Sequence, residues 1–571
     1  MPVPYRRLAL ENSSVDPLEP DSSMIKTISR IKGLPLGAAG AAVFLITGAA
    51  VAEPQATPPN IVLILADDLG WMDINAYATR ATGTPTEGQF YETPNLDRLV
   101  ADGVAFSRAY SAPLCTPSRA SLLTGRNSAT FGMNNAFSMA SASKSTFAGT
   151  GRDPLPGYLP LDGMPGESKI FPLRPAVAYT GLPNNQPGEN GMCVQALPAL
   201  LPGYRSAFLG KWHVGADNKP GHRPQDFGFE AIAYQDEGWS SFWPAARKSW
   251  HLRGPDTKAD YLTDALTEMS IDWMRNQVSK SPNQPFLMYL AHFAVHGPYE
   301  AKPGDKAHFE SKSTFGWNGH SNPTYAGMLR SLDQSVGAIR AALKEMGVAD
   351  NTVILFLSDN GGEPGDDKGG AGTMSNAPLR GYKAQTYEGG IRVPMIAAWP
   401  SHWTPNRWID EPVSISQIAP TLIQLAGGPA TELSAFDGSS LVPLLAGQKE
   451  AYKPRPIYIH EPYFRGNKKG KEGERKMIPP SSVMIDGDYK LIAYHDGENL
   501  LYHIPDDISE QNDLAAKEPE RVAAMHKELA AWRFANIPAR YDTSVNPSYD
   551  ANLPGAVGPL KHPPFVPPSE P

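Results

Sequence analysis

Near position 60 the chain carries an unbroken apolar run, Ile61-Val62-Leu63-Ile64-Leu65, that stops at Asp67-Asp68. Such a run predicts a strand buried on both faces. Thr93-Pro94 then opens a helical pattern, with Thr93 as N-cap, Pro94 at the first helical position, Leu96, Leu99 and Val100 on one face and Gly103 as the stop. Strand-like runs recur at Ser206 to Leu209, Phe286 to Leu290 and Val353 to Leu357. Between the last two, Tyr325, Met328, Leu329, Leu332, Val336, Ile339 and Leu343 return at helical spacing, and Gly347 closes the segment. Alternating strands and helices predict an α/β domain with a mostly parallel sheet, whose ligands gather at the strand C-terminal ends. After about Ala446 the pattern changes to short strands around Ile457 to Ile459, Ser482 to Ile485, Tyr489 to Ala493 and Leu500 to His503, then an amphipathic helix from about Pro519 to Phe534. These predict a small antiparallel sheet with a helix. The expected organisation is a large domain at 53–446, a small α+β unit at 447–545 and a Pro-rich tail at 546–571, with no internal repeat.

Composition narrows the picture. The 571 residues include 52 glycines and 56 prolines, which suits a loop-rich globular protein. With 51 Lys+Arg against 59 Asp+Glu, the net charge of −8 leaves no basic stripe to track a phosphate backbone, so nucleic acid is not an expected partner. An anionic substrate would need positive charge assembled locally. Cys115 and Cys193 are the two cysteines, which excludes a disulfide framework and a multi-cysteine zinc site but leaves one bridge open. From Met24 the chain reads as a secretory leader: Lys26, Arg30 and Lys32, an apolar stretch from Gly37 to Ala50, and a small-residue cleavage site at Ala50-Val51-Ala52. The stretch is short and Gly-rich for a membrane span of ~20 residues. Residues 24–52 are therefore expected to be a signal peptide and 1–23 an upstream extension, giving an exported, periplasmic or secreted protein with no stable membrane span.

Two strand ends deliver carboxylates. Asp67 and Asp68 follow the first run, and Asp359-Asn360 follow Val353 to Leu357. Each pair alone fits a polar loop start. Together, three carboxylates and an amide predict a hard-cation site, because clustered carboxylates repel one another unless a cation neutralises them; oxygen ligands favour Ca2+, or Mg2+, over zinc. Cys115 precedes a second helical signal, Thr116-Pro117-Ser118-Arg119, in which Thr116 is the expected cap. The thiol then lies at the positive end of that helix. Lys211 and His213, two apart on a strand-like segment, would share one face.

The segment Cys115-Thr116-Pro117-Ser118-Arg119 followed by a short helix resembles the signature of the type I sulfatases, members of the alkaline phosphatase superfamily. Other landmarks resemble that family in the same order: Asn60 to Gly70, Thr93 to Asp97, Gly203 through Gly210-Lys211-Trp212-His213, Ser358 to Gly362, and Lys383 through Pro394. The resemblance implies an alkaline-phosphatase-like large domain with a mixed, mostly parallel central sheet flanked by helices. It also implies hydrolysis of aryl, alkyl or glycan sulfate monoesters to an alcohol and sulfate. Cys115 would be oxidised to formylglycine by a formylglycine-generating enzyme, and its hydrate would be the nucleophile. Asp67, Asp68, Asp359, Asn360 and residue 115 would hold the cation. Asp359 would be the base that assists attack, Arg119, Lys211 and His213 would hold the nucleophile and sulfuryl group, and Lys383 and His296 would serve the departing oxygen. His292 is expected to be structural, and an aldehyde at 115 would leave Cys193 a lone thiol.

The loops without a landmark, Asn135 to Asn190, Gly238 to His251 and Ala301 to Ser321, are the expected walls of the substrate pocket. In the second, Trp239, Phe242, Trp243 and Trp250 with Arg247 and Lys248 suggest either ring stacking or a hydrophobic patch with a basic edge. Two other functions share these features: a phosphate or phosphonate monoester hydrolase on the same scaffold, and a non-catalytic binder of sulfated glycans.

Overall fold

The structure is a computed structural model that describes residues 58–135, 195–215, 223–235, 241–243, 259–364, 374–428, 436–463, 477–538 and 542–545, with a few short strands and single residues between them. All of these belong to one compact unit, Thr57–Pro571. The expected upstream extension and leader, Cys193, Trp239, Arg247, Lys248, Trp250 and nearly all of the Pro-rich tail lie outside the described residues.

The large sheet is built from Asn60–Ala66 (β1), Val104–Tyr110 (β2), Arg205–Lys211 (β3), Glu230–Gln235 (β4), Phe286–Ala291 (β5), Thr352–Ser358 (β6) and Arg392–Ala398 (β7), with short strands His251–Leu252, Arg407–Ile409 and Val413–Ser414 at its margins. The order across it is Arg407–Ile409, β2, β7, β6, β1, β5, β3, β4, His251–Leu252. Strands β6, β1, β5, β3 and β4 are parallel, with Ile61 opposite both Val353 and Leu287. β7 runs antiparallel to both β6 and β2, so β2 again points the same way as β1.

The unbroken apolar run of β1 follows from its position in the middle of the sheet. Val62 and Ile64 face a layer that includes helices Asn75–Thr82 (α1), Pro94–Asp102 (α2), Leu262–Lys280 (α4) and Pro323–Glu345 (α5). Ile61, Leu63 and Leu65 face a second layer with Cys115–Thr124 (α3) and Ile418–Leu425 (α6). Alternate side chains enter opposite cores, so every position must be apolar. The helix starts show one match and one difference. Thr93 is the N-cap of α2, but its hydroxyl pairs with Asn75 Oδ1 at 2.9 Å rather than with the helix backbone. Thr116, expected to cap α3, lies instead inside it: Leu114 is the N-cap and its carbonyl accepts the Ser118 N–H at 3.2 Å.

The second sheet is antiparallel, with Ile457–Glu461 (β8), Ser481–Asp486 (β9), Tyr489–Tyr494 (β10) and Asn499–His503 (β11) in that order. One face, with Met484, Leu491 and Leu501, packs on Met525 and Leu529 of Pro519–Asn536 (α7). On the other, Val483, Ile485 and Ile492 pack with Tyr110 at the end of β2 and with Ile391, the residue just before β7, so the second sheet rests against that end of the large sheet.

Candidate active site

Because β1, β3, β5, β6 and β2 all point one way, their C-terminal ends share one edge. That edge receives Asp67 and Asp68 after β1, Lys211 to His213 at and after β3, His296 after β5, Asp359 and Asn360 after β6, and Cys115 after β2. β7 starts at the same edge, which brings in the preceding turn with Lys383. Two glycines make the approach close. Gly210, at φ +100°, would place a Cβ 1.8 Å from the Ala291 carbonyl oxygen, and Gly361 would place one 1.9 Å from that of Gly389.

Asp67, Asp68 and Asp359 each offer a carboxylate oxygen within 4.8 Å of the others, and all three are buried. Arg119 donates to Asp359 Oδ2 from Nε at 2.9 Å and Nη2 at 2.7 Å. Lys211 Nζ meets Asp67 Oδ2 at 2.5 Å and Lys383 Nζ meets Asp68 Oδ2 at 2.7 Å. Asn360 Nδ2 donates to Asp68 Oδ1 at 2.8 Å, and Asn360 Oδ1, like Asp67 Oδ1, is buried without a hydrogen-bond donor among the described residues. Two buried orphan oxygens beside three carboxylates are the donor set a hard cation requires. The electrostatics agree. Burial would raise Asp67, but Lys211 foremost, then His296, Arg119 and Lys383, hold it below the ordinary carboxylate range. Lys383 and His296 do the same for Asp68 against burial. Asp359 is pushed up by burial and by the Asp67 charge, against the pull of Arg119. Three carboxylates this close keep a proton unless a cation replaces it.

Cys115 heads α3, buried and without a disulfide. Burial would raise its thiol, yet Lys211, His213, which also hydrogen-bonds it, and Lys383 bring it down to about 6. The Thr116 hydroxyl lies 3.4 Å from His213 Nδ1, a contact its expected role as a cap did not foresee. His213 itself lies past the end of β3 with φ 53°, so strand alternation does not explain why it and Lys211 meet the same site. Asp68, at φ 59°, and Ala384, at φ 67° next to Lys383, are further non-glycine residues here in the left-handed region. Such conformations cost of order 1–3 kcal/mol and persist where the surroundings enforce them.

His296 Nδ1 lies 2.7 Å from the Gly297 carbonyl and Nε2 lies 3.6 Å from Asp68 Oδ2. Partial burial, then Lys383, lower its pKa to about 4, against Asp68. His292 belongs elsewhere: its Nε2 is 3.0 Å from Ser335 Oγ of α5, and burial lowers its pKa to about 3, so its ring is neutral. Of the expected aromatic wall, Phe242 is buried and stacks on Tyr261 at 5.7 Å, part of the core. Sequence reading missed the support of the Lys383 turn. Glu388, in the turn's last part, is buried and bound by Lys490, Arg392 and Tyr110. The available signal was Lys490 itself, one charge inside the apolar run of β10.

A family model described as Sulfatase matches residues 59–152 and 172–428, and one described as N-sulphoglucosamine sulphohydrolase, C-terminal, matches residues 382–534. The chain is 33% identical over 440 residues to human N-acetylgalactosamine-6-sulfatase, covering 72% of this chain and 69% of that protein. It is 28% identical over 544 residues to a sulfatase of Formosa agariphila, covering 84% and 89% of the two chains. The solved structure of Ps i-CgsB in complex with k-i-k-neocarrahexaose superposes with a TM-score of 0.62 at 27% identity, over 87% of this chain and 95% of that one. With the acidic cluster, Cys115 and three cationic side chains gathered at one sheet edge, these matches identify the chain as a member of the sulfatase family, a sulfuric ester hydrolase of the alkaline phosphatase superfamily.

Proposed function

We propose that this sulfatase removes sulfate from carbohydrate sulfate monoesters, using formylglycine made from Cys115 and a Ca2+ or Mg2+ ion held by Asp67, Asp68, Asp359 and Asn360. The observation that carries the reading is the position of Cys115: a buried thiol at a helix start, adjoining the oxygen-rich cluster and close to Lys211, His213 and Lys383. The carbohydrate assignment is supported by the names of the relatives, an N-acetylgalactosamine-6-sulfatase and a protein solved with a neocarrahexaose. Export is supported by the leader pattern of residues 24–52, and maturation would require a formylglycine-generating enzyme. Among the described residues no helix is long and apolar enough to cross a membrane.

Hydrated, an aldehyde at position 115 supplies one hydroxyl to attack sulfur and a second whose loss of a proton expels sulfate and restores the aldehyde. A cation held by Asp67, Asp68, Asp359 and Asn360 would supply Lewis-acid polarisation and positive charge there. The chain's own side chains do the rest. Asp359 accepts the proton of the attacking hydroxyl. Arg119 orients that carboxylate through its paired bonds at 2.9 and 2.7 Å. Lys383, whose ammonium is held charged by Asp68 despite burial, stabilises or protonates the departing alkoxide together with His296. Lys211 holds the sulfuryl group, and His213, beside residue 115 and Thr116, takes the second proton. A serine or an unmodified thiol at this position would form the adduct but has no second hydroxyl with which to release it.

Peptide mass spectrometry of the segment containing position 115, combined with a comparison of aryl sulfate, aryl phosphate and sulfated sugar hydrolysis, tests the reading. Aldehyde at 115 and preference for sulfate support it. Full activity with an intact thiol, or a preference for phosphate, overturns it.

A further inference from the structure

The turn that carries Lys383 is held from two sides. On the active-site side, the Lys383 N–H donates to the Gly362 carbonyl at 3.2 Å, the Ala384 N–H to that of Pro113 at 2.8 Å, and the Gly361 N–H to that of Gly390 at 3.0 Å. On the far side the anchors come from the second sheet and the segment that follows it, with Arg392 and Tyr110 of the large sheet also bound to Glu388. Lys490 Nζ, fully buried, lies 2.9 Å from Glu388 Oε1 and 2.8 Å from Glu510 Oε1. Glu510 Oε2 accepts the Glu388 N–H at 2.7 Å, and the Glu510 carbonyl accepts from Arg380 Nη1 at 3.1 Å. Thr386 meets Ser481 at 3.1 Å, and Tyr387 meets Tyr494 at 3.0 Å, hydroxyl to hydroxyl. Gly389 N–H closes the turn onto the Arg380 carbonyl at 2.7 Å, so the residues bound by the second sheet bracket Lys383 in the chain.

A buried ammonium between two buried carboxylates is a poor means of adding stability, since desolvating the ions offsets much of their attraction. What it does supply is a fixed geometry, because each partner becomes costly to leave unpaired. We propose that Lys490 is a positioning residue for the sulfatase reaction: through Glu388 and Glu510 it fixes the Arg380-to-Gly390 turn and thereby sets the place of the Lys383 ammonium at the departing oxygen. The second sheet is then part of the leaving-group machinery rather than an accessory. The inference rests on the proposed role of Lys383 toward the leaving group.

That role gives a readout a merely structural one would not move. When a leaving-group stabiliser is displaced, poor leaving groups suffer more than good ones. The ratio of kcat for 4-nitrophenyl sulfate to kcat for phenyl sulfate, measured on one preparation, cancels the fraction of correctly matured enzyme. Lys383→Ala should raise that ratio by roughly 10²-fold and Lys490→Met by roughly tenfold, with Lys490→Arg returning it to within about threefold of wild type. The double variant Lys383→Ala/Lys490→Met should show no larger ratio than Lys383→Ala alone, the signature of two residues acting through one group. An unchanged ratio in Lys490→Met, or effects that multiply in the double variant, would overturn the proposal. Should Lys490→Met yield no soluble enzyme, Glu510→Gln decides: a raised ratio supports the proposal and an unchanged one sinks it. A wild-type enzyme that releases sulfate neither from these aryl esters nor from sulfated sugars would instead refute the assigned function, and a Lys383→Ala ratio equal to wild type would refute the role of Lys383.

Discussion

Two largely buried charge clusters lie at the same edge of the large sheet, and they are built to opposite ends. In one, Asp67, Asp68 and Asp359 face Lys211, Arg119 and Lys383, yet Asp67 Oδ1 and Asn360 Oδ1 have no hydrogen-bond donor among the described residues, and Asp68 and His213 sit in strained backbone. In the other, Glu388 binds Lys490, Arg392 and Tyr110 through its side chain while its N–H binds Glu510, whose Oε1 makes no hydrogen bond among the described residues but lies 2.8 Å from the Lys490 ammonium. The same residue types thus make one cluster that crowds three carboxylates within 4.8 Å and another in which two carboxylates share a single ammonium. On the proposed reading the first would receive a cation and a substrate, and the second would hold the Lys383 turn in place.

The largest break of this contrast would come from the nucleophile. Cys115→Ala should lower sulfate ester turnover by at least about 10⁴-fold while leaving the melting temperature near wild type; a steady-state assay showing persistent turnover would remove residue 115 from the chemistry. Next is the cation. Chelation should abolish turnover and lower the melting temperature, and Ca2+ should restore both, with about 2.7 kcal/mol of stabilisation at a hundredfold excess over Kd. A melting curve indifferent to chelator would show that the orphan oxygens serve some other purpose.

The Lys490 cluster predicts the reverse balance. Lys490→Met should cost about 3–5 kcal/mol in denaturant unfolding, since it leaves two buried carboxylates facing one cation fewer. Lys211→Met, in metal-loaded protein, should cost less than half as much because the ion takes over Asp67. Equal costs would erase the distinction between the two clusters.

A smaller effect concerns Asp73, buried beneath the active-site loop, where it accepts from the Gly70 N–H at 2.8 Å and the Tyr325 hydroxyl at 2.5 Å. Burial outweighs those bonds and raises its pKa from 3.8 to about 7. The folded chain therefore binds this proton more tightly than the unfolded one. Its contribution to stability is full below the unfolded pKa and falls as pH rises through about 7. Unfolding free energy should drop by about 2 kcal/mol from pH 5 to 7 on its account, and Asp73→Asn should flatten that slope. The smallest effect belongs to exposed pairs: Arg275→Ala, which breaks an ion pair with Glu345 whose side chains are 46% and 69% exposed, should cost under about 1 kcal/mol.

The chain alone determined the elements and much of the chemistry. Strands such as Ile61 to Leu65 announced a doubly covered parallel sheet because both of their faces must be apolar, and the acidic pairs Asp67-Asp68 and Asp359-Asn360 followed such runs because strand ends are where polar ligands can emerge. The Cys115 segment was legible as a short, contiguous pattern. What only the tertiary structure decided are matters of contact across the sequence. Thr116 faces His213 rather than capping α3, since Leu114 already closes the first turn. His213 reaches the site through a left-handed residue beyond its strand, which no alternation rule encodes. Lys490, 107 positions after Lys383, supports that lysine's turn only because the second sheet folds back onto the residues just before β7. Local pattern fixes local geometry through sterics and periodicity, whereas the pairing of buried charges depends on which distant segments share a solvent-free space, and that is set by packing.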